Sequence, residues 1–416
     1  MARVLPTTKT QVSGHKFMRR RVEHGLIFGD VRMIHDPLAS RRRAMIFGTV
    51  AALLISGVMG LFAWMAPNPD PGGAPILRGA DGALYVRVDD TAHPVTNLTS
   101  ARLVAGAPAE PARVGDEALL AMGRGVPVGI ATAPNVFAPA DSDHEDWSVC
   151  TSGDTVSVIA GEAPPPLGEN EAVLAAADNR EWVVTAQGRA LLPPPTTPEG
   201  RILRRGLGID AATPRWTPPT QVFVAVRELP PYALPHPAPA VLTTAEGAWL
   251  LIDAHVQPIT PTQAHLLTSA SAQVTEVDPP AIANYPDLDP PIVLRLPARV
   301  PEWLDPAARA ICAGPEGGAA ALAEDAPDGG AVDGAVELSG SSVATHFAGL
   351  AAGAVGIDSG FGYHVVATSG LRHPVPDEKT LEIIGVQRVD EAAWSIVSLL
   401  PEGEPLNRQS ALTAAY

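Results

Sequence analysis

One uninterrupted apolar run dominates the amino-terminal part of the chain. Residues 44–66 read AMIFGTVAALLISGVMGLFAWMA, 23 residues without a charged side chain. A helix of this length spans about 30–35 Å, close to one bilayer hydrocarbon core. Arg41, Arg42 and Arg43 precede the run and prolines follow it, so the amino end is expected in the cytoplasm and the carboxyl end outside. A cleaved signal peptide, with an apolar core of about 7–15 residues, and a buried helix of a soluble protein both fit less well.

The segment before this run has the composition of a basic helix. In residues 13–28, SGHKFMRRRVEHGLIF, apolar residues recur near helical spacing and basic residues occupy another face. Ser13 is expected to cap the helix. Such a helix either lies on anionic lipid or docks on the cytoplasmic domain of a partner, unless it serves only as a topology signal. The predicted docking residues are Phe17, Arg19, Arg20, Arg21, Val22 and Leu26.

After residue 66, in what we call the outer portion, the pattern changes to short strands. Four stretches each combine an aromatic and β-branched run, a short polar or glycine turn and a second short strand. Three of them reach a proline followed by Val or Ile, which predicts a β-hairpin whose second strand ends at the proline. The four aromatic residues are Tyr85, Trp182, Trp249 and Tyr363.

The spacing of these hairpins limits the architecture. Unequal intervals exclude a regular solenoid or propeller and favour four similar modules separated by insertions of different length. Short helices are predicted at 99–103 and 261–267, after the first and third hairpins. Proline-rich stretches, such as 193–195 and 230–239, are expected to be extended connectors. With 38 Gly and 43 Pro in 416 residues, the composition favours strands and turns over a helix bundle.

Charge is divided unevenly along the chain. Residues 1–43 carry ten Lys or Arg and three Asp or Glu, whereas the remaining 373 residues carry 19 basic and 42 acidic residues. The acidic outer portion excludes nucleic-acid binding by the main body, because it would repel phosphates. The basic charge beside the apolar run instead indicates a membrane surface.

The chain contains two cysteines, Cys150 and Cys312, both in the outer portion. Outside the cytoplasm such a pair is expected to form a disulfide. Closing so long a loop would stabilise the fold by at most about 4–5 kcal/mol. Two buried free thiols are the alternative. A metal site is less favoured, because neither cysteine has a second cysteine or a histidine at ligand spacing.

No stretch of the sequence has the pattern of a catalytic site. Among the three lysines, Lys379 precedes a threonine but follows Pro-Asp-Glu instead of a glycine-rich phosphate loop. The acidic stretch 141–146, DSDHED, is a weak candidate for a divalent cation, and a solvated loop is the commoner structure for such a stretch. No Gly-x-Ser-x-Gly elbow is present. The sequence therefore predicts no catalytic residue, no cofactor and no metal.

Several stretches together resemble one family, and the amino-terminal ones are the most specific. They are QVSGHKF at 11–17 with the arginines at 19–21, EHGL at 23–26, RMIHDPL at 32–38, API at 74–76, YVRV at 85–88, NLTSARL at 97–103, WSVC at 147–150, RHPVP at 372–376 and LLPEGEPL at 399–406. With these stretches the chain resembles EccB, a membrane component of the actinobacterial type VII (ESX) secretion system. The resemblance is weaker between about residues 190 and 340.

The resemblance implies a fold class and a domain organisation. The protein would be α+β and β-rich, with a single transmembrane helix plus a periplasmic portion of four small β-hairpin repeat modules around a disulfide-bearing core. A basic cytoplasmic segment would occupy 1–43, the transmembrane helix 44–66 and the periplasmic portion 67–416. The modules are expected near 74–125, 170–225, 240–285 and 343–400, and the core near 126–169 and 286–342.

The resemblance also implies a function. The chain would be a structural subunit of the inner-membrane core complex, anchoring and oligomerising periplasmic modules around the export path. The expected partners are EccC-, EccD- and EccE-like subunits in a hexameric complex, a mycosin protease, further copies of the chain, membrane lipid and peptidoglycan. The alternatives are an ATP-hydrolysing subunit, as some family members are named, and a cell-wall-binding module. Scarce ATP outside the membrane and the missing phosphate loop count against ATP hydrolysis.

Overall fold

Two units make up the part of the chain that the structure describes. The computed structural model describes residues 7–32, 37–65, 70–322 and 334–415, and it divides into Met1–Pro69 and Asp70–Tyr416. Ala66 at the end of the predicted membrane run, residues 33–36 of the RMIHDPL stretch and residues 323–333 of the predicted core lie outside the described residues.

The described residues contain ten α-helices and one 3₁₀-helix, Pro279–Asn284. The two long helices are in the first unit and the short ones in the second. The α-helices are α1 (Lys9–Phe28), α2 (Pro37–Met65), α3 (Leu98–Ala105), α4 (Asp116–Ala121), α5 (Pro198–Gly206), α6 (Thr220–Ala225), α7 (Pro261–Ser269), α8 (Glu378–Ile384), α9 (Trp394–Val397) and α10 (Arg408–Ala411).

All the strands lie in the second unit, and they are short. They are β1 (Ile76–Arg78), β2 (Leu84–Val88), β3 (Thr91–Pro94), β4 (Ala112–Arg113), β5 (Gly123–Arg124), β6 (Asp146–Ser152), β7 (Thr155–Gly161), β8 (Glu171–Ala177), β9 (Arg180–Thr185), β10 (Gly188–Leu191), β11 (Glu228–Leu229), β12 (Ala240–Thr243), β13 (Ala248–Ile252), β14 (His255–Ile259), β15 (Val274–Glu276), β16 (Glu302–Trp303), β17 (Ile311–Ala313), β18 (Ala319–Ala321), β19 (Val336–Glu337), β20 (His346–Gly349), β21 (Val355–Asp358), β22 (Tyr363–Val366), β23 (Arg372–Val375) and β24 (Val389–Glu391).

The amino-terminal helix α1 begins before Ser13, its predicted cap. Thr8 Oγ1 accepts a hydrogen bond from Gln11 N, and Gln11 Oε1 accepts one from Thr8 N, so a reciprocal capping box satisfies two amides at the helix start. Gly29, with a φ of 69°, ends the helix in the left-handed conformation. The Ser13 prediction is wrong because this capping pair lies upstream of it.

The second helix, α2, carries the apolar run. It begins at Pro37, whose missing N–H is tolerated in the first turn of a helix. Its stretch Ser40–Phe62 is long enough and apolar enough to cross a membrane, and in the described residues it is the one helix that meets this test. Its apolar side chains are exposed, as those of a helix in contact with lipid would be.

Three of the five sheets in the second unit share one connectivity. Three antiparallel strands are followed by a helix, and a later strand then pairs in parallel with the first of the three. In the first sheet β1, β2 and β3 precede α3, and β4 pairs with β1. In the third sheet β12, β13 and β14 precede α7, and β15 pairs with β12. In the fourth sheet β21, β22 and β23 precede α8, and β24 pairs with β21.

The second sheet has the same plan with an interruption. Strands β8, β9 and β10 are antiparallel and precede α5, but the strand that pairs in parallel with β8 is β16. The whole third sheet lies in sequence between α5 and β16. The third sheet is therefore an insertion within the second.

The four hairpins that the sequence predicts are present, but the role of their prolines differs. Pro258 lies inside β14, opposite Trp249, and Pro374 lies inside β23, opposite His364. The prediction that these prolines end the strand is wrong. Both strands are at the edge of their sheets, where a missing N–H leaves no neighbouring strand unpaired.

A six-stranded sheet joins distant parts of the chain. Its order is β18-β17-β6-β7-β20-β19, so strands from residues 146–161 pair with strands from residues 311–349. One face packs on a large apolar cluster that includes Trp147 and Phe347, whose rings stack at 6.2 Å. The other face carries Cys150 and Cys312.

Two further cores join the four smaller sheets in pairs. Helix α3 packs on α8, and a shared apolar cluster contains Val86 of the first sheet and Val365 of the fourth. Helix α5 packs on α7, and a second cluster contains Leu174 of the second sheet and Leu250 of the third. The first sheet therefore packs with the fourth, and the second with the third.

Candidate functional site

The predicted docking residues of α1 lie on a solvent-exposed helix. Phe17, Val22 and Leu26 are 54%, 58% and 81% exposed, which places apolar surface in water unless a partner or lipid covers it. Arg19 Nε donates to Glu23 Oε1 at 3.0 Å, one turn away. Arg20 and Arg21 are exposed on the same helix.

The apolar residues of α1 do not form the single face that the sequence predicts. At about 100° per residue, Met18 and Leu26 lie within about 40° of Val22, whereas Phe17 lies about 140° away from it. On the side of Phe17, the ring of His24 approaches that of Phe28 at 5.6 Å. We call Met18, Val22 and Leu26 the first strip and Phe17 and Phe28 the second strip. Basic residues lie between them, so the single-face prediction is wrong.

The positive cluster expected to set membrane orientation lies at the start of α2. Arg41, Arg42 and Arg43 lie in the second turn of the helix, and all three are exposed. The apolar stretch follows them directly. This arrangement leaves their guanidinium groups free to reach headgroup phosphates.

Cys150 and Cys312 form a disulfide, as the sequence predicts. They lie directly opposite each other on β6 and β17, with Cα atoms 3.9 Å apart, and both are buried. The bond joins residues 162 positions apart and fastens the two halves of the six-stranded sheet. The alternative of two free thiols is excluded in this structure.

The acidic stretch 141–146 holds an arginine. Buried Arg388, between α8 and β24, donates through Nη1 to Ser142 Oγ at 3.0 Å and to the carbonyl oxygen of Asp143. Its Nη2 lies 3.0 Å from Oδ2 of Asp390, which is also buried. His144 Nδ1 lies 2.7 Å from the other Asp390 oxygen. Among the described residues no group of His, Cys, Asp or Glu is placed to hold a metal ion.

The lysine–threonine pair of the outer portion does not form a phosphate site. Lys379 and Thr380 lie in the first turn of α8, where Asp377 is the N-cap and accepts from both N and Oγ1 of Thr380. These hydrogen bonds, the side-chain one above all, hold the pKa of Asp377 below its ordinary value. A carboxylate already occupies the place where a phosphate would meet the helix amides.

Two buried arginines were not predicted as site residues. Arg189 lies over the rings of Trp182 and Phe223, at 5.2 and 4.3 Å from their centroids, and donates to the Phe223 carbonyl oxygen at 2.8 Å. Arg372 lies 5.0 Å from the centroid of Trp394 and donates to His364 Nδ1 at 3.3 Å. Arg189 thereby joins the β9–β10 hairpin to α6, and Arg372 joins the β22–β23 hairpin to α9.

The comparisons with known proteins agree over the whole chain. A family model described as "Type VII secretion system ESX-1, transport TM domain B", the model of the EccB proteins, matches residues 4–325 and 315–415. The chain belongs to the EccB family. Its membership accounts for one apolar helix near the amino terminus followed by a large sheet-rich unit.

Curated relatives and solved structures have similar lengths. The EccB member named "ESX-1 secretion system ATPase EccB1" from Mycobacterium tuberculosis (strain ATCC 25618 / H37Rv) is 29% identical, over 98% of this chain and 94% of its own. A chain of an intact ESX-5 inner membrane complex matches 100% of this chain and 97% of its own, with a TM-score of 0.64 and 25% identity. A chain of the EccB3 dimer from the ESX-3 core complex has the same fold, with a TM-score of 0.66, 23% identity and coverage of 82% of this chain and 100% of its own.

Proposed function

We propose that the chain is a structural subunit of the inner-membrane core complex of a type VII (ESX) secretion system. The observation that carries this proposal is the match over all of the chain to a subunit of an intact ESX-5 inner membrane complex. The fold supports it, because the described residues offer a helix long and apolar enough to cross a membrane, an exposed helix before it and a unit of five sheets. The relatives are named as ATPases, but this chain's Lys379–Thr380 pair gives that name no support. Asp377, the N-cap of α8, already occupies the position that a phosphate would take there.

We further propose which part of the chain lies on each side of the membrane. The arginines 41–43 stand before the apolar stretch, so the amino end with α1 is cytoplasmic and the unit from Asp70 onward is periplasmic. The described residues would then cross the inner membrane once, through α2. A disulfide between β6 and β17 is chemically suited to the periplasmic side.

The four smaller sheets are proposed to be the four repeat modules around the six-stranded, disulfide-bearing core. Their shared order of three antiparallel strands, a helix and a parallel closing strand supports equivalence. This assignment moves β20, at His346–Gly349, from the expected fourth module into the core. It also assigns β16, at Glu302–Trp303, to the second module.

For α1 we propose a docking role on the cytoplasmic domains of EccC-, EccD- or EccE-like subunits, with membrane lipid as a further contact. The exposed apolar strips with intervening arginines support this, because such a surface gains free energy when it is covered. A mycosin protease and further copies of the chain, as in a hexamer, would contact the periplasmic unit.

The test is blue-native electrophoresis with mass spectrometry on tagged full-length protein from gently solubilised membranes. A large assembly containing EccC-like and EccD-like chains is expected. The double variant Val22→Ser and Leu26→Ser removes the first strip and is expected to lower the yield of this assembly. Val293→Ser, the same kind of change at a 91% exposed residue outside α1, is its matched control. If the unaltered chain migrates alone, the structural-subunit proposal is wrong.

Peptidoglycan is proposed as a ligand of the modules on narrower grounds, namely that four sheets of one design stand outside the membrane. Full-length protein in detergent is mixed with purified, insoluble peptidoglycan and sedimented. Retention that free muropeptides compete away supports wall binding. Protein that remains in the supernatant leaves the structural role alone.

A further inference from the structure

An aromatic side chain stands in solvent at the tip of the fourth sheet. Phe361 lies in the turn between β21 and β22 and is 87% exposed. Its neighbours Gly360 and Gly362 have φ values of +72° and +142°, which favour glycine over other residues. The chain thus uses two glycines to present one large apolar ring to water.

The turn that carries this ring is held by its own hydrogen bonds. Ser359 N and Oγ both donate to the Gly362 carbonyl oxygen, at 3.1 and 2.8 Å, and Phe361 N donates to Ser359 Oγ at 3.4 Å. Gly360 N donates to Oδ1 of Asp358 at 2.9 Å. A pre-ordered ring loses little conformational entropy when a partner covers it.

The corresponding turn of the third sheet shows that the aromatic is not needed to make the turn. There Thr244 N donates to the Gly247 carbonyl oxygen at 2.9 Å, and Glu246 N donates to Thr244 Oγ1 at 3.1 Å. Ser359 and Thr244 play the same part, and Glu246 occupies the place of Phe361. The third sheet thus closes its turn with the same two hydrogen bonds and an exposed carboxylate, although Ala245 and Gly247 lack the positive φ values of Gly360 and Gly362.

An acidic depression of 670 Å³ lies against the Phe361 turn. Trp147 belongs to its lining, is 1% exposed, and its Nε1–H has no partner among the described residues. Ala392 and Ala393 add apolar surface. Four carboxylates line the depression, those of Asp146, Glu316, Asp358 and Glu391.

We propose that Phe361 and this depression form a docking surface for a positively charged segment of another protein in the assembly. The partner would cover the ring with an apolar pocket and direct Lys or Arg side chains at the four carboxylates. A second copy of this chain fits poorly, because its outer portion carries 19 basic against 42 acidic residues. Anionic lipid is repelled by the same charges. The inference rests on the proposed function in that the partner belongs to the secretion complex.

The test is site-specific photo-crosslinking in cells that make the full-length chain. Benzoylphenylalanine replaces Phe361, and the cross-linked peptide is identified by mass spectrometry. The expected product joins this position to a segment of a different chain that has an excess of Lys and Arg. A product with a second copy of this chain, a product with a segment that lacks this excess, or no product overturns the docking surface.

Two controls distinguish specific binding at this surface from cross-linking of any exposed residue. With the probe at Ala393, Phe361→Glu is expected to lower the yield of the same product at least about tenfold, as loss of a hot-spot aromatic does. The turn itself should survive, because its hydrogen bonds use Ser359, the Phe361 amide and the Gly362 carbonyl oxygen and none involves the Phe361 ring. The probe placed at Glu246 should give no such product. An unchanged yield with Phe361→Glu, or the same product from position 246, overturns the proposal.

Failure of this inference is distinguishable from failure of the proposed function. Blue-native electrophoresis of the same samples reports whether the large complex forms. A missing cross-link in a complete complex rejects the docking surface alone. A missing complex for the unaltered chain rejects the structural-subunit proposal.

Discussion

Replacing Arg388 by Met is expected to destabilise the unit from Asp70 onward by about 3–5 kcal/mol, the usual cost of breaking a buried ion pair. Arg388 and Asp390 are 3% and 1% exposed and their closest atoms are 3.0 Å apart. The variant leaves the Asp390 carboxylate buried, with the His144 ring, 2.7 Å away, as its polar contact. It also removes the donors that hold Ser142 and Asp143 on the fourth sheet.

The double variant Arg388→Met and Asp390→Leu tests this explanation. Without the Asp390 carboxylate no buried charge remains unpaired. A loss of about 1–3 kcal/mol in the free energy of unfolding is still expected, because the acceptors in 141–146 no longer receive hydrogen bonds from Arg388. The sum of the losses in free energy of unfolding of the two single variants is therefore expected to exceed the loss of the double variant by at least about 2 kcal/mol. Arg299→Met is the matched control, because its ion pair with Glu169 is exposed and contributes about 0–1 kcal/mol.

The assay is urea unfolding of the full chain in detergent, followed by tryptophan fluorescence, with hydrogen exchange of peptides that cover 141–146. Faster exchange there is expected in Arg388→Met and not in Arg299→Met. A single-variant loss below about 1 kcal/mol, or single losses that add within about 0.5 kcal/mol, would refute the buried-pair reasoning.

Three further outcomes follow from other buried groups. Cys150→Ser, Cys312→Ser and the double variant should lose the same free energy of unfolding, at most about 5 kcal/mol, because each removes one bond; additive losses in urea unfolding would contradict this. Burial lowers the pKa of His364 and of His373 in the folded chain. Below about pH 6.5 the unfolded chain therefore binds more protons than the folded chain. The free energy of unfolding should then fall with pH, by up to about 1.4 kcal/mol per histidine and pH unit. A thermal midpoint that is constant between about pH 7 and 6 would speak against it. Leu406→Ala should cost about 2–5 kcal/mol, since this fully buried residue packs in the core shared by the first and fourth sheets; an unchanged thermal midpoint would mean that the site collapses without loss.

The hairpins were predictable because their signal is local. Tyr85, Trp182, Trp249 and Tyr363 each stand in a short β-branched run beside a turn, and each lies in a strand of a hairpin. The helices after the second and fourth hairpins were missed. Pro193–195 indicated an extended connector, but Thr197 caps α5 two residues later and accepts from Gly200 N at 3.1 Å.

The contacts of buried charges were not predictable, because they depend on long-range pairing. Arg388 and Asp390 belong to none of the motifs in the sequence, and Arg and Asp are mostly exposed in folded proteins. Their burial depends on the stretch 141–146, about 245 residues earlier, lying against them. The disulfide was predictable for the opposite reason, since the chain offers only one pair of cysteines.

The unequal spacing of the hairpins has a structural cause. The intervals between the four aromatic residues are 97, 67 and 114 residues. The first interval contains β6 and β7 and the last contains β17 to β20, so the two longer intervals supply the six-stranded sheet. The shortest interval supplies no strand to that sheet, because the third sheet follows directly as an insertion in the second. The chain enters the six-stranded sheet once between the first and second sheets and again before the fourth sheet, which packs with the first. The disulfide joins β6, from the first passage, to β17, from the second. The unequal intervals between the hairpins therefore follow from the two separate contributions to the six-stranded sheet.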